Sequence, residues 1–158
     1  MIGLERILLV EDNPKDLELA LAALEDSNLA NEVAVARDGV EALDYLRRQG
    51  AFATRQDRLP VVVLLDLKLP KLNGLEVLAR IRADTALKQL PVVVLTSSRE
   101  EPDLERCYEL GVSAYIVKPV DFEQVMGVIK QIGIMWGIIN VPPPSLRRSK
   151  AFEKRTTK

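Results

Sequence analysis

Five short strand-like stretches, each closing on polar residues and each followed by a helical pattern, constrain this chain more than any other feature. The clearest is Val61-Val62-Val63-Leu64-Leu65, which stops at Asp66. Three of its five residues are β-branched and the run is too short for a globular helix, so it reads as a strand buried on both faces, the kind found in parallel sheets. Arg6 to Val10 repeats the pattern and stops at Glu11-Asp12. Glu32 to Arg37 alternates, Leu90 to Leu95 ends in Thr96-Ser97-Ser98, and Ser113 to Val117 ends at Lys118-Pro119.

Helical periodicity fills the intervals. Asn13-Pro14 opens a helix carrying Leu17, Leu21 and Leu24, and Asp38-Gly39 opens one with Val40, Leu43 and Leu46 on one face. Asn73-Gly74 starts a third, with Leu75, Val77, Leu78 and Ile81, which ends near Asp84. Glu101-Pro102 starts a fourth that Gly111 stops, and Asp121 caps a last helix from Phe122 to about Ile139. Gln49 to Leu59 is polar without periodicity and reads as a long loop. Strict βα alternation predicts a doubly wound α/β domain in three layers, a five-stranded parallel sheet between helices. The polar second strand belongs at an edge, with the first, third and fourth in the centre.

Composition narrows the chemistry. The chain has 158 residues, about one domain, and no histidine, which excludes Ser-His-Asp or Cys-His catalysis, His-ligated zinc and a phosphohistidine of its own. Its one cysteine, Cys107, excludes an internal disulfide and reads as a small helix residue. No apolar run approaches the ~20 residues of a membrane span, and the N-terminus enters the first strand too soon for a signal peptide, so a cytoplasmic location is expected. Charge is unevenly placed. Residues 145–158 carry net +5 and residues 1–144 net −6.

In a parallel α/β sheet, ligands bind at the C-terminal ends of the strands. That edge gathers Glu11, Asp12, Asp66, Thr96 and Lys118. Carboxylates that close repel one another unless they share a cation, and oxygen ligands beside a phosphate suit Mg²⁺. With a lysine and a threonine added, the set suggests phosphoryl transfer to a carboxylate.

These residues, in this order, resemble the receiver domains of bacterial two-component response regulators. The resemblance rests on Glu11-Asp12, on Asp66 in Leu-Leu-Asp-Leu-Lys-Leu-Pro before Asn73-Gly74, on Thr96 and on Lys118-Pro119. It implies a flavodoxin-like (βα)5 receiver domain over residues 5–139 with strand order 2-1-3-4-5, followed by a Pro-rich arm and basic tail over residues 140–158. It implies that Asp66 is the phosphoacceptor. Asp12, Asp66 and the Lys68 backbone carbonyl would then contact Mg²⁺, with Glu11 assisting through water, while Thr96 and Lys118 hold the phosphoryl group. Tyr115 matches the family's aromatic switch position, paired with Thr96, and the Lys118-Pro119 peptide should be cis. The long loop before the third strand, the Leu-Pro-Lys-Leu-Asn-Gly run and Pro142-Pro143-Pro144 are similar to stand-alone receivers paired with phytochromes. Lys68 departs from the Asn common in those relatives.

The expected partner is a sensor histidine kinase, with a bacterial phytochrome as the narrower expectation; the downstream protein target is open. A competing enzyme reading is a Mg²⁺-dependent aspartate-nucleophile phosphohydrolase, but Lys68 stands where such hydrolases carry a second acid. Nucleic acid binding has only the basic tail in its favour. On the last helix Phe122, Val125, Met126, Ile129, Ile132 and Trp136 form the stripe expected to pack on the sheet, leaving Val128, Met135 and Ile139 on a flank that suggests a homodimer.

Overall fold

The computed structural model describes residues 6–26, 33–55, 59–97, 99–121, 123–129 and 131. Five strands, β1 (Ile7–Val10), β2 (Val33–Ala36), β3 (Val62–Leu65), β4 (Val92–Thr96) and β5 (Ala114–Val117), form one parallel sheet in the order β2-β1-β3-β4-β5. Strand β2 lies at an edge and β1, β3 and β4 are interior, as its polarity and their hydrophobicity require. The helices are α1 (Pro14–Asp26), α2 (Gly39–Arg47), α3 (Gly74–Ala83), α4 (Glu101–Glu109) and α5, seen over residues 123–129 and at 131.

Side chains that alternate along the strands build two cores. Ile7, Leu9, Val62, Leu64, Val93 and Leu95 pack with Leu17, Ala20 and Leu24 of α1 and with Val125 and Ile129 of α5. Leu8, Val10, Val63, Leu65, Val92 and Val94 face the other way, against α2, α3 and Cys107 of α4. Both faces of the sheet are thereby covered, which is what apolar strands without alternation demand. Of the last helix's expected stripe, Val125 and Ile129 are buried and Met126 is partly so; Phe122, Ile132 and Trp136 lie outside the described residues.

The starts of α1, α2 and α3 are fixed by side-chain caps. Asn13 Oδ1 accepts from the Lys15 and Asp16 amides, Asp38 Oδ1 from Glu41 and Asn73 Oδ1 from Glu76, so each N-terminus has a partner for its otherwise unpaired donors. Two expectations are corrected. Val40, assigned to the inner face of α2, is 44% exposed, and Ala42 and Tyr45 are buried with Leu43 and Leu46 instead. The stretch after α2 is not wholly irregular, because Gly50–Phe52 forms a 3₁₀ turn whose Phe52 ring meets Tyr45 edge-on at 5.2 Å. The Arg55 guanidinium lies over the Tyr45 ring, 4.0 Å from its centroid.

The end of the sheet where β4 and β5 begin is tied by Arg82. From α3 its guanidinium donates to the carbonyls of Leu110 (2.6 Å), Leu90 (2.7 Å), Lys88 (3.1 Å) and Gly111 (3.1 Å), and burial lowers its pKa. Cys107 is fully buried, and burial, with Asp103 nearby, pushes its thiol up to about 11.

Candidate functional site

The strands hand their sheet hydrogen bonds directly to the site. Beyond the last residues of β1, β3 and β5, the Glu11 amide donates to Ala36 O (3.0 Å), the Asp66 amide to Val10 O (3.1 Å) and the Lys118 amide to Thr96 O (2.7 Å). Each of these side chains therefore starts from backbone fixed to a neighbouring strand. Glu11 and Asp66 are 4% and 5% exposed and Thr96 is fully buried, whereas Asp12 is exposed.

The loop after β3 is held by the buried side chains of Leu67 and Leu69 and by close backbone packing. A Cβ on Gly74 would lie 2.3 Å from the Asp66 carbonyl oxygen, and one on Gly39 would lie 2.0 Å from that of Leu72. Only glycine lets α3 and the start of α2 approach the loop this closely. Within the loop, the Lys68 amide donates to Asp66 Oδ1 at 3.1 Å while the Lys68 side chain is exposed. The Lys118-Pro119 peptide is cis, as the resemblance implies.

At the centre stands the Lys118 ammonium, which donates to Asp16 Oδ2 (2.7 Å), Glu11 Oε1 (3.0 Å) and Asp66 Oδ2 (3.1 Å). Carboxylate oxygens of Glu11, Asp12 and Asp66 come within 4.8 Å of one another. Burial pushes the Glu11 carboxyl up to about 7; the Lys118 hydrogen bond opposes this and the Asp66 charge adds to it. Burial alone would lower Lys118, but its hydrogen bonds to Asp16 and Glu11 and the Asp66 charge outweigh that, so its pKa is raised.

Four carboxylates around one ammonium leave the site formally −3. Burial, helped by the Asp66 charge, favours the neutral form of Glu11, and a divalent cation is the alternative to a proton. The donor set is all oxygen and suits a hard cation.

Glu11, Asp12, Asp66 and Lys118 thus come together, with Thr96 bonded to Lys118 through its backbone. Tyr115 is partly buried on β5, opposite Val94 of β4 and against the core that α2 and α3 cover. Val128 is also partly buried, packed on its own chain's other core; Met135 and Ile139 lie outside the described residues. Asp16 was absent from the sequence-derived set. In the first turn of α1 an acid reads as a helix-dipole partner, and nothing local signals a lysine 102 residues away.

A parallel sheet in this order, with acids at the ends of β1 and β3 and a lysine after β5, defines a receiver-type phosphoacceptor class. The chain belongs to the response regulator receiver family, whose domain model matches residues 7–130. It is 39% identical over 130 residues to response regulator Rcp1 of Synechocystis sp. PCC 6803, covering 82% of this chain and 87% of that protein. A structure of Rcp1 in its Mn²⁺-bound form superposes with a TM-score of 0.69 at 37% identity, over 86% of this chain and 94% of that one. The bacteriophytochrome response regulator RtBRR is similar at 58% identity and a TM-score of 0.76, covering 90% and 86% of the two chains. Phosphorylated RcpA, a cyanobacterial phytochrome response regulator, follows at 41% identity and 0.70, over 89% and 98%. Close relatives therefore include phytochrome-associated response regulators. No helix among the described residues is long and apolar enough to cross a membrane.

Proposed function

We propose that this chain is a cytoplasmic, phosphorylation-switched relay in which Asp66 accepts a phosphoryl group from the phosphohistidine of a sensor kinase of the bacterial phytochrome type. The observation that carries this is the Lys118 ammonium 3.1 Å from Asp66 Oδ2, beside a three-carboxylate group. In the transfer an Asp66 oxygen bonds to phosphorus as the bond from phosphorus to the histidine nitrogen breaks, and the electron pair leaves with the imidazole. Lys118 neutralises charge on the phosphoryl oxygens, and Thr96 offers a hydroxyl at the end of β4. Glu11, Asp12, Asp66 and the Lys68 carbonyl would hold Mg²⁺, which supplies charge neutralisation for the incoming phosphate. The Mn²⁺-bound form of Rcp1 and the phosphorylated form of RcpA support this reading by similarity.

Tyr115 and Thr96 carry the switch in this proposal, and a partner protein reads the altered surface. The chain's only chemistry is then its own phosphorylation and dephosphorylation. Association into a homodimer through the last helix belongs to the same reading, with Val128, Met135 and Ile139 as its contacts. The deciding experiment is incubation with Mg²⁺ and acetyl phosphate followed by intact mass measurement. The wild type should gain one phosphoryl group, Asp66→Asn should gain none because an amide is a poor nucleophile, and chelation should abolish the gain. A normal gain in Asp66→Asn refutes the assignment. Light scattering tests association: the full chain should be dimeric at micromolar concentration, and Val128→Glu with Met135→Glu should dissolve it.

A further inference from the structure

An ammonium has three N–H donors, and all of those on Lys118 are used: by Asp16 at 2.7 Å, Glu11 at 3.0 Å and Asp66 at 3.1 Å. A phosphoryl oxygen arriving at Asp66 reaches the ammonium only by displacing one of these acceptors. Glu11 and Asp66 belong to the carboxylate group that a divalent cation would share, so their hold on Lys118 weakens once the cation is present. Asp16 stands outside that group. It makes the shortest of the three contacts and, among the described residues, pairs with no other cation.

We propose that Asp16 is a positioning residue that holds the Lys118 ammonium towards α1 in the unphosphorylated protein and yields it to the phosphoryl group, thereby setting how readily Asp66 is phosphorylated. The inference rests on the function proposed above. Three features make Asp16 the contact that gives way. Its side chain is 36% exposed against 5% for Glu11, so water takes over its carboxylate when Lys118 leaves, whereas Glu11 would stay buried with the Asn13 amide in place of a cation. Its backbone amide is fixed by the Asn13 cap, which keeps the carboxylate within reach for the return. Its place in the first turn of α1 stabilises the released negative charge through the helix dipole.

The full chain carrying Asp16→Asn should be phosphorylated by acetyl phosphate and Mg²⁺ faster than wild type. In this reaction the bond from Asp66 to phosphorus forms as acetate departs with the electrons of its phosphorus–oxygen bond. Because a partly exposed ion pair is a modest interaction, the expected gain is roughly fivefold. Asp16→Glu, whose longer acid still reaches the ammonium, should stay within about twofold of wild type. In a Lys118→Ala background the Asp16→Asn gain should vanish, because Asp16 acts through Lys118, whereas simple removal of a negative charge near the site would persist there. Initial rates read by intact mass, with thermal melting as a folding control, decide the matter. No acceleration in Asp16→Asn, equal acceleration in Asp16→Glu, or an undiminished gain without Lys118 each overturns the proposal. If Lys118→Ala is labelled too slowly to measure, the Asp16→Glu comparison decides alone. A wild type that takes no phosphoryl group refutes the proposed function itself, a result distinct from all of these.

Discussion

Lys118 and Arg82 are half-buried cations at opposite ends of the same sheet, and their partners differ in kind. Lys118 faces three carboxylate side chains, each of which can turn to water, a proton or a metal. Arg82 faces four backbone carbonyls from the connections leading into β4 and β5, which are fixed in the chain and cannot take up a proton or a metal in its place. The first cation is set among replaceable charges and can change partners. The second uses the planar fork of a guanidinium to tie α3 to two loops and closes that end of the domain. In the switch proposed here, rearrangement at one end gains from fixity at the other.

The comparison breaks if Arg82 proves dispensable. Arg82→Met should cost about 3 kcal/mol in urea denaturation, since it strips charged donors from several carbonyls at once, and added Mg²⁺ should recover none of the loss. Phosphorylation of that variant by acetyl phosphate at a temperature where it is folded should match wild type. Lys118→Ala sharpens the contrast from the other side. Without metal it should lose about 2 kcal/mol at pH 8, because Glu11 and Asp66 are left without their cation, and Mg²⁺ should restore most of it. Equal responses of the two variants to Mg²⁺ would show that both ends are built alike.

A smaller effect should appear in the pH dependence of the metal-free wild type. Glu11 titrates near 7 in the folded protein against 4.5 for the free group, so between those values the folded state keeps a proton that the unfolded chain has released. Stability should therefore fall as pH rises through this window. The raised pKa of Lys118 adds nothing within it, since that contribution is complete below the ordinary value of 10.5. Mg²⁺ at the carboxylates should flatten the profile. A metal-free protein that gains stability over the same range would contradict the burial of Glu11.

Strand identity, and which strands lie inside the sheet, were legible because Val61 to Leu65 and Leu90 to Leu95 are hydrophobic on both faces and end in polar groups; the full order followed only from the family resemblance. The acidic pair, Asp66 and Lys118 were legible for the same reason: strand ends locate them without any knowledge of side-chain geometry. Val40 misled because the spacing Val40, Leu43 and Leu46 fits an inner face, while the buried face runs through Gly39, Ala42, Leu43, Tyr45 and Leu46 and leaves Val40 outside it. The 3₁₀ turn at Gly50–Phe52 is too short to show a period. Arg82 was invisible because its acceptors are carbonyls, which every residue possesses. Asp16 was invisible because its partner lies at the far end of the chain.

Cys107 has a practical consequence for following the switch. It is the chain's one thiol, and at pH 8 it is both enclosed and protonated, so alkylating reagents should pass the folded protein by. A cysteine placed at exposed Leu19 or Tyr108 would then be the sole reactive position, and a fluorophore or spin label could be attached there without first removing the native residue. The same core that silences Cys107 thus leaves the surfaces of α1 and α4 open to site-specific reporters in an otherwise natural sequence.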